Sequence, residues 1–102
     1  MTIIMRLAVY AAIVFLVSPA TAHEAPSGWA YPWSCCSGLD CRPVSSSWVK
    51  AGPGGYELPN GETIPYASTK IKPSPDGEYH WCTQQGKDDT PTICIFVPAQ
   101  AF

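Results

Sequence analysis

Five cysteines and two histidines are the residues of this chain with the widest chemical reach. Three cysteines crowd into WSCCSGLDC as Cys35, Cys36 and Cys41, and the other two, Cys82 and Cys94, stand near the C-terminal end. A structural zinc site draws on four ligands in two short pairs, and CC-x4-C supplies one pair at most. A thioredoxin-type dithiol needs C-x-x-C, which is absent. Disulfide formation is the chemistry left. The favoured pairing is Cys82–Cys94 across a C-terminal hairpin, with Cys41 bridged to Cys35 or Cys36. Its rival is a cross-pairing in which the CC pair reaches Cys82 and Cys94, closing longer loops and so constraining the unfolded chain more. An odd count leaves one thiol over. The diverging side chains of adjacent Cys35 and Cys36 assign it to one of those two, as a buried apolar filler.

The histidines suggest a different chemistry. His23 follows Ala20-Thr21-Ala22, and a chain processed after Ala22 begins with it. Its α-amino group and imidazole, with the imidazole of His80, would then make the three-nitrogen copper site known as a histidine brace, and copper heads the affinity order at nitrogen ligands. Tyr79 or Tyr31 would supply an axial group. Against this, many residues are tolerated after a cleavage site, and His80 sits in a segment that alternates as a strand does. No cofactor is expected, with copper as the alternative. G-x-S-x-G, H-E-x-x-H and P-loop patterns are absent, and the acidic pairs Glu57/Glu62 and Asp88/Asp89 fall in turns, so no catalytic residue is assigned.

Rings are the third resource. Trp29, Tyr31 and Trp33 lie close together before the cysteines and could offer a contact surface to a glycan or a protein, as exposed aromatics do. Most rings in so small a chain must nevertheless serve its core, where each buries about 150–250 Å².

These residues need elements to hold them. MTIIMR, the eleven apolar residues of LAVYAAIVFLV and the small residues of SPATA form the three parts of a secretory signal peptide, residues 1–22. Eleven residues fall short of the roughly 20 that cross a bilayer. The mature chain, 23–102, is expected in the periplasm or outside the cell, as a monomer with no membrane span. Losing Arg6 makes it one unit more negative than the −2 of the whole, so nucleic acid is excluded as a partner.

What remains is a single domain too small to rely on its core alone. Its glycines and prolines, all 8 Gly and all but one of the 11 Pro of the chain, argue for short strands and many turns. HEAPSGWAYPW reads as an extended aromatic arm. Strands are expected at VSSSWVK, YEL, TIPY, EYHWCTQ and TICIFV, with a type I′ turn at Asn60-Gly61 and a loop over STKIKPSPDG. Alternation of Ile93, Ile95 and Val97 with Cys94 and Phe96 marks a strand buried on both faces. The expected fold is an all-β, disulfide-stabilised domain of four or five short strands.

The series W-x-Y-P-W-x-C-C-S-G-x-D-C, GGYEL, IPY, KPSPDGEYHWC and ICIFVP, from about Trp29 to Pro98, resembles a family of small exported cysteine-containing proteins of alphaproteobacteria and their phages. Relative to that pattern HEAPSG is longer, and Ala30 separates Trp29 from Tyr31. The resemblance implies export and a shared disulfide-stapled fold. It implies no activity, substrate or catalytic residue.

Overall fold

A computed structural model describes residues 23–99. The signal peptide expected over 1–22 lies outside the described residues. Among the described residues the fold is all-β, with seven short strands in two sheets. β1 (Cys41–Val44), β5 (Ile71–Pro73), β6 (Tyr79–Thr83) and β7 (Thr92–Val97) form one sheet in the order β1-β6-β7-β5. β2 (Lys50–Gly52), β3 (Gly55–Glu57) and β4 (Thr63–Ile64) form the other, in chain order. Among the described residues no helix is long and apolar enough to cross a membrane.

The central hairpin β6–β7 follows from its β-branched and aromatic content, and its strands are buried on both faces. Successive side chains point to opposite sides of a strand. His80, Cys82, Cys94 and Phe96 therefore share one face, where Ala25, Tyr31, Cys35, Cys36 and Cys41 complete the first core cluster. Trp81, Ile95 and Val97 take the other face and pack against Val49, Tyr56, Leu58 and Ile64. The molecule is thus layered: an N-terminal arm, the four-stranded sheet and the three-stranded sheet. A bifurcating chain of hydrogen bonds ties the two sheets together. Thr92 Oγ1 accepts from Trp81 Nε1 at 2.8 Å and donates to Glu62 Oε1 at 2.7 Å, and that oxygen also accepts from Thr92 N at 2.8 Å.

Several expectations are corrected. The arm is not extended: it folds back as a small hairpin, with Ala25 N donating to Trp29 O and Tyr31 N to His23 O. Its turn, Ala25-Pro26-Ser27-Gly28, repeats the chemistry of Leu58-Pro59-Asn60-Gly61 between β3 and β4. In both, proline presets the second position, the fourth residue's N–H closes the turn, and glycine takes a left-handed conformation, φ +97° at Gly28 and +88° at Gly61. Asn60 itself has no positive φ, so this is a type I turn with a glycine bulge and not type I′. VSSSWVK is not one strand, because Ser45 caps a 3-10 turn over Ser46–Trp48 that separates β1 from β2. Within the expected loop, Ile71–Pro73 joins β7 in parallel, placing Pro73 on a sheet edge where its missing N–H costs little.

The disulfides are Cys35–Cys94 and Cys41–Cys82, with Cα separations of 5.4 and 4.0 Å. The favoured Cys82–Cys94 bridge is not made. Those two residues do stand opposite each other across β6–β7, but β1 sets Cys41 opposite Cys82 on its other side. Cys82 is the middle of a row of three and bonds to Cys41. Cys94 then takes Cys35 from the segment above the sheet. Cys36 is the free cysteine; it is buried, and its thiol donates to Gly38 O at 3.0 Å.

Candidate functional site

The densest polar constellation lies where the arm meets the first sheet. S-P-D-G forms a turn ahead of β6, in which Asp76 Oδ1 accepts from Ser74 Oγ at 2.8 Å and from Glu78 N at 3.0 Å. The turn directs the carboxylate back along β6, so His80 Nε2 lies 2.9 Å from both oxygens. From the arm, Ser27 Oγ donates to Oδ2 at 2.6 Å and Trp29 Nε1 at 2.9 Å. The other imidazole nitrogen, Nδ1, is 2.7 Å from the hydroxyl of Tyr31. Asp76, His80 and Tyr31 thus form one chain of hydrogen bonds between a turn, a strand and the arm.

Partial burial alone would raise the pKa of Asp76. The hydrogen bonds from Ser27, Trp29, His80 and the Glu78 amide outweigh it and hold the carboxyl well below the usual carboxylate range. An ionised Asp76 only accepts, so His80 Nε2 carries a hydrogen and donates. In the neutral imidazole, Nδ1 then accepts from the Tyr31 hydroxyl. Burial, reinforced by the Asp76 charge, pushes the Tyr31 phenol above its ordinary range. The chain therefore ends on a buried, protonated phenol and not on an exposed nucleophile. Its rings are packed as closely as its polar atoms. Trp29 meets the edges of Tyr31, His80 and Phe96 at centroid distances of 4.8, 5.0 and 5.3 Å.

The structure brings His23 and His80 to the same aromatic cluster. His23 stacks on Tyr31 at 5.7 Å, and His80 meets the same ring edge-on at 5.5 Å. His80 is fully buried, and both its nitrogens already have partners. A copper brace would have to displace Tyr31 or Asp76 from it. The residues that do converge with metal-ligand chemistry are Asp76, Glu78 and His80, whose ligand atoms lie within 4.8 Å of one another. Tyr79, on the same strand as His80, packs with the opposite core cluster, away from any axial position.

Of the three rings expected to form a contact surface, two serve the core. Tyr31 is buried, and Trp29 is half-buried with its indole N–H spent on Asp76. Trp33 is 63% exposed, and Leu39 on the same cysteine-rich segment is 74% exposed. Cys35 and Cys41 anchor that segment to β7 and β6. Asp40 fixes it further by accepting from Ser37 N and Oγ and from Gln85 N, at 3.2, 3.1 and 2.9 Å.

Sequence reasoning missed Asp76 and Leu39. Asp76 lies in S-P-D-G, which reads as turn chemistry alone, and its signal was the strand histidine four residues on. Leu39 is a large apolar residue between turn formers, which no periodicity explains. Comparisons of the chain with known protein families, with curated proteins and with solved structures find no match.

Proposed function

We propose that this chain is an exported, non-catalytic interaction domain, acting in the periplasm or outside the cell, whose contact surface is the disulfide-pinned segment 32–41. One observation carries the reading: Trp33 and Leu39 are exposed on a short segment that Cys35 and Cys41 bond to two different strands. A segment held in place before binding loses little conformational freedom on binding, and tryptophan is the residue most enriched at energetic centres of interfaces. The buried, protonated phenol at the end of the Asp76–His80 chain supports a non-catalytic role. Two disulfides in so small a domain, together with the apolar run before Ala22, support export. The test is site-specific photocrosslinking in the exporting cell, with the reactive residue placed at 33, at 39 or at the exposed control position Lys70, beside β5. One recurrent protein adduct from 33 and 39 but not 70 is expected, and Trp33→Ala should diminish the adduct formed from 39. Equal labelling at all three positions would overturn the reading.

A second reading, metal binding, is favoured by the convergence of Asp76, Glu78 and His80. Two carboxylates and one imidazole suit zinc or manganese as well as copper. The correctly processed protein should be titrated with Cu(II) and Zn(II), followed by paramagnetic resonance and by the His80 ring signals. Stoichiometric binding lost in Glu78→Gln and kept in His23→Ala supports the carboxylate set, and the converse supports a His23–His80 brace. No binding removes both.

A further inference from the structure

A second surface, outside segment 32–41, combines groups of another kind. Ser47, Trp48, Lys50, Glu57, Leu58 and Pro59 line a shallow groove beside the three-stranded sheet. Trp48 is 39% exposed, although its ring meets the fully buried Trp81 edge-on at 6.3 Å. Its backbone is fixed as well: Ser45 caps the turn, Trp48 N donates to Ser45 O at 3.0 Å, and the next residue, Val49, is buried. The indole is thus a held platform and not a loose side chain.

Lys50 and Glu57 are register partners across β2–β3, so their side chains leave the same face of the sheet. They are opposite in sign and adjacent, yet among the described residues neither side chain makes a hydrogen bond or ion pair. Gly52 makes room for this arrangement. A methyl group at that position would come within 3.0 Å of the Glu57 carboxylate, which leans over the glycine. The groove therefore offers one flat apolar surface, one free acceptor group and one free donor group.

From this juxtaposition we infer that the groove binds a saccharide, with one pyranose ring stacked on Trp48 and its hydroxyls bonded to Glu57 and Lys50. A sugar ring presents a face of C–H groups and a rim of hydroxyls, each both donor and acceptor. An indole, a carboxylate and an ammonium satisfy these three features together, and hydrogen bonds to ionised groups are the stronger kind. The net negative charge of the chain disfavours nucleic acid. The groove is separate from segment 32–41, so this inference does not depend on the function proposed above.

The processed, oxidised protein should be titrated separately with cellotriose, chitotriose, maltotriose and laminaritriose, each to its solubility limit, with the indole and backbone amide signals followed by nuclear magnetic resonance. At least one sugar is expected to shift the Trp48 indole and the amides of Lys50 and Glu57, leaving Trp33 unmoved. Trp48→Ala should weaken that sugar's binding by about tenfold or more, the loss expected for one stacked ring. Glu57→Gln, at an exposed side chain with no partner to lose, should weaken it while leaving the thermal melt unchanged, which keeps the test decisive if Trp48→Ala unfolds. The inference fails if no sugar shifts these signals, if Glu57→Gln binds as tightly as the parent, or if the shifts centre on Trp33.

Discussion

Asp76 carries more of the structure than any other polar side chain described. Its two oxygens hold the arm through Ser27 and Trp29, the strand through His80, and its own turn through Ser74 and Glu78. Replacing it with asparagine keeps one acceptor but turns an amide N–H₂ toward groups that themselves donate. Hydrogen bonds to a charged group contribute about 1.5–3 kcal/mol each, and losing the charge weakens several at once, so Asp76→Asn should destabilise by about 2–3 kcal/mol in denaturant unfolding. Variant and parent should also differ in acid. A carboxyl whose folded value is depressed stabilises above its unfolded value, near 4, and that contribution is lost as pH falls through the folded value. Glu62 and Asp40, also depressed, act in the same direction. Tyr31 is raised, so its contribution is complete below about pH 10 and is lost as pH rises beyond. The melting temperature should therefore be flat between roughly pH 5 and 9 and fall on either side, with a shallower acid limb in Asp76→Asn. An unchanged acid limb in the variant would remove Asp76 from this account.

At the scale of elements, three glycines separate two kinds of constraint. A methyl group at Gly55 would stand 2.0 Å from the carbonyl oxygen of Ile64, and its φ is +145°, so both space and backbone exclude a side chain where β3 meets β4. Gly61 has only the backbone constraint: φ is +88° and the space around it is open. Gly38 has neither. Alanine substitution should cost more than about 2 kcal/mol at Gly55, about 1 kcal/mol at Gly61 and close to nothing at Gly38, read from urea midpoints. What the sequence made legible at this scale has the same physical divide. β6 and β7 were readable because β-branched and aromatic residues fill them and both faces carry large side chains. The turn at 58–61 was readable in position because proline and glycine act locally, whereas the same chemistry at 25–28 lay inside a segment read as an extended arm. β5 was not readable, since three residues with a proline gain strand character only from a parallel partner 24 residues on. Nor was the Asp76 cluster, because nothing in S-P-D-G shows that the arm will fold over it. The cysteine pairing failed for one particular reason: facing strands predict Cys82 opposite Cys94, and only the sheet order reveals Cys41 on the other side.

The whole molecule depends on the two bridges unequally. Their sequence separations, 59 and 41 residues, differ so little that loop-closure entropy separates them by only about 0.3 kcal/mol. What distinguishes them is the structure each one joins. Cys41–Cys82 links two strands already paired in register through four residues, so their ladder survives without it. Cys35–Cys94 is the covalent tie between the segment above the sheet and β7, and it sits beside the buried thiol of Cys36 and against the Tyr31–His80 cluster. Removing a native disulfide from a small exported domain costs about 2–5 kcal/mol, comparable to the stability such a core supplies alone. The double variant Cys35→Ala/Cys94→Ala should lose the near-ultraviolet circular dichroism of Tyr31 and Trp29 and admit alkylation of Cys36 without denaturant. Cys41→Ala/Cys82→Ala should melt earlier yet keep that dichroism and keep Cys36 protected while folded. In the parent, alkylation in denaturant without reductant should label Cys36 alone. Label on Cys82 or Cys94 would show a different pairing, and equal behaviour of the two double variants would show that the arm is held by its aromatic and polar contacts without need of the bridge.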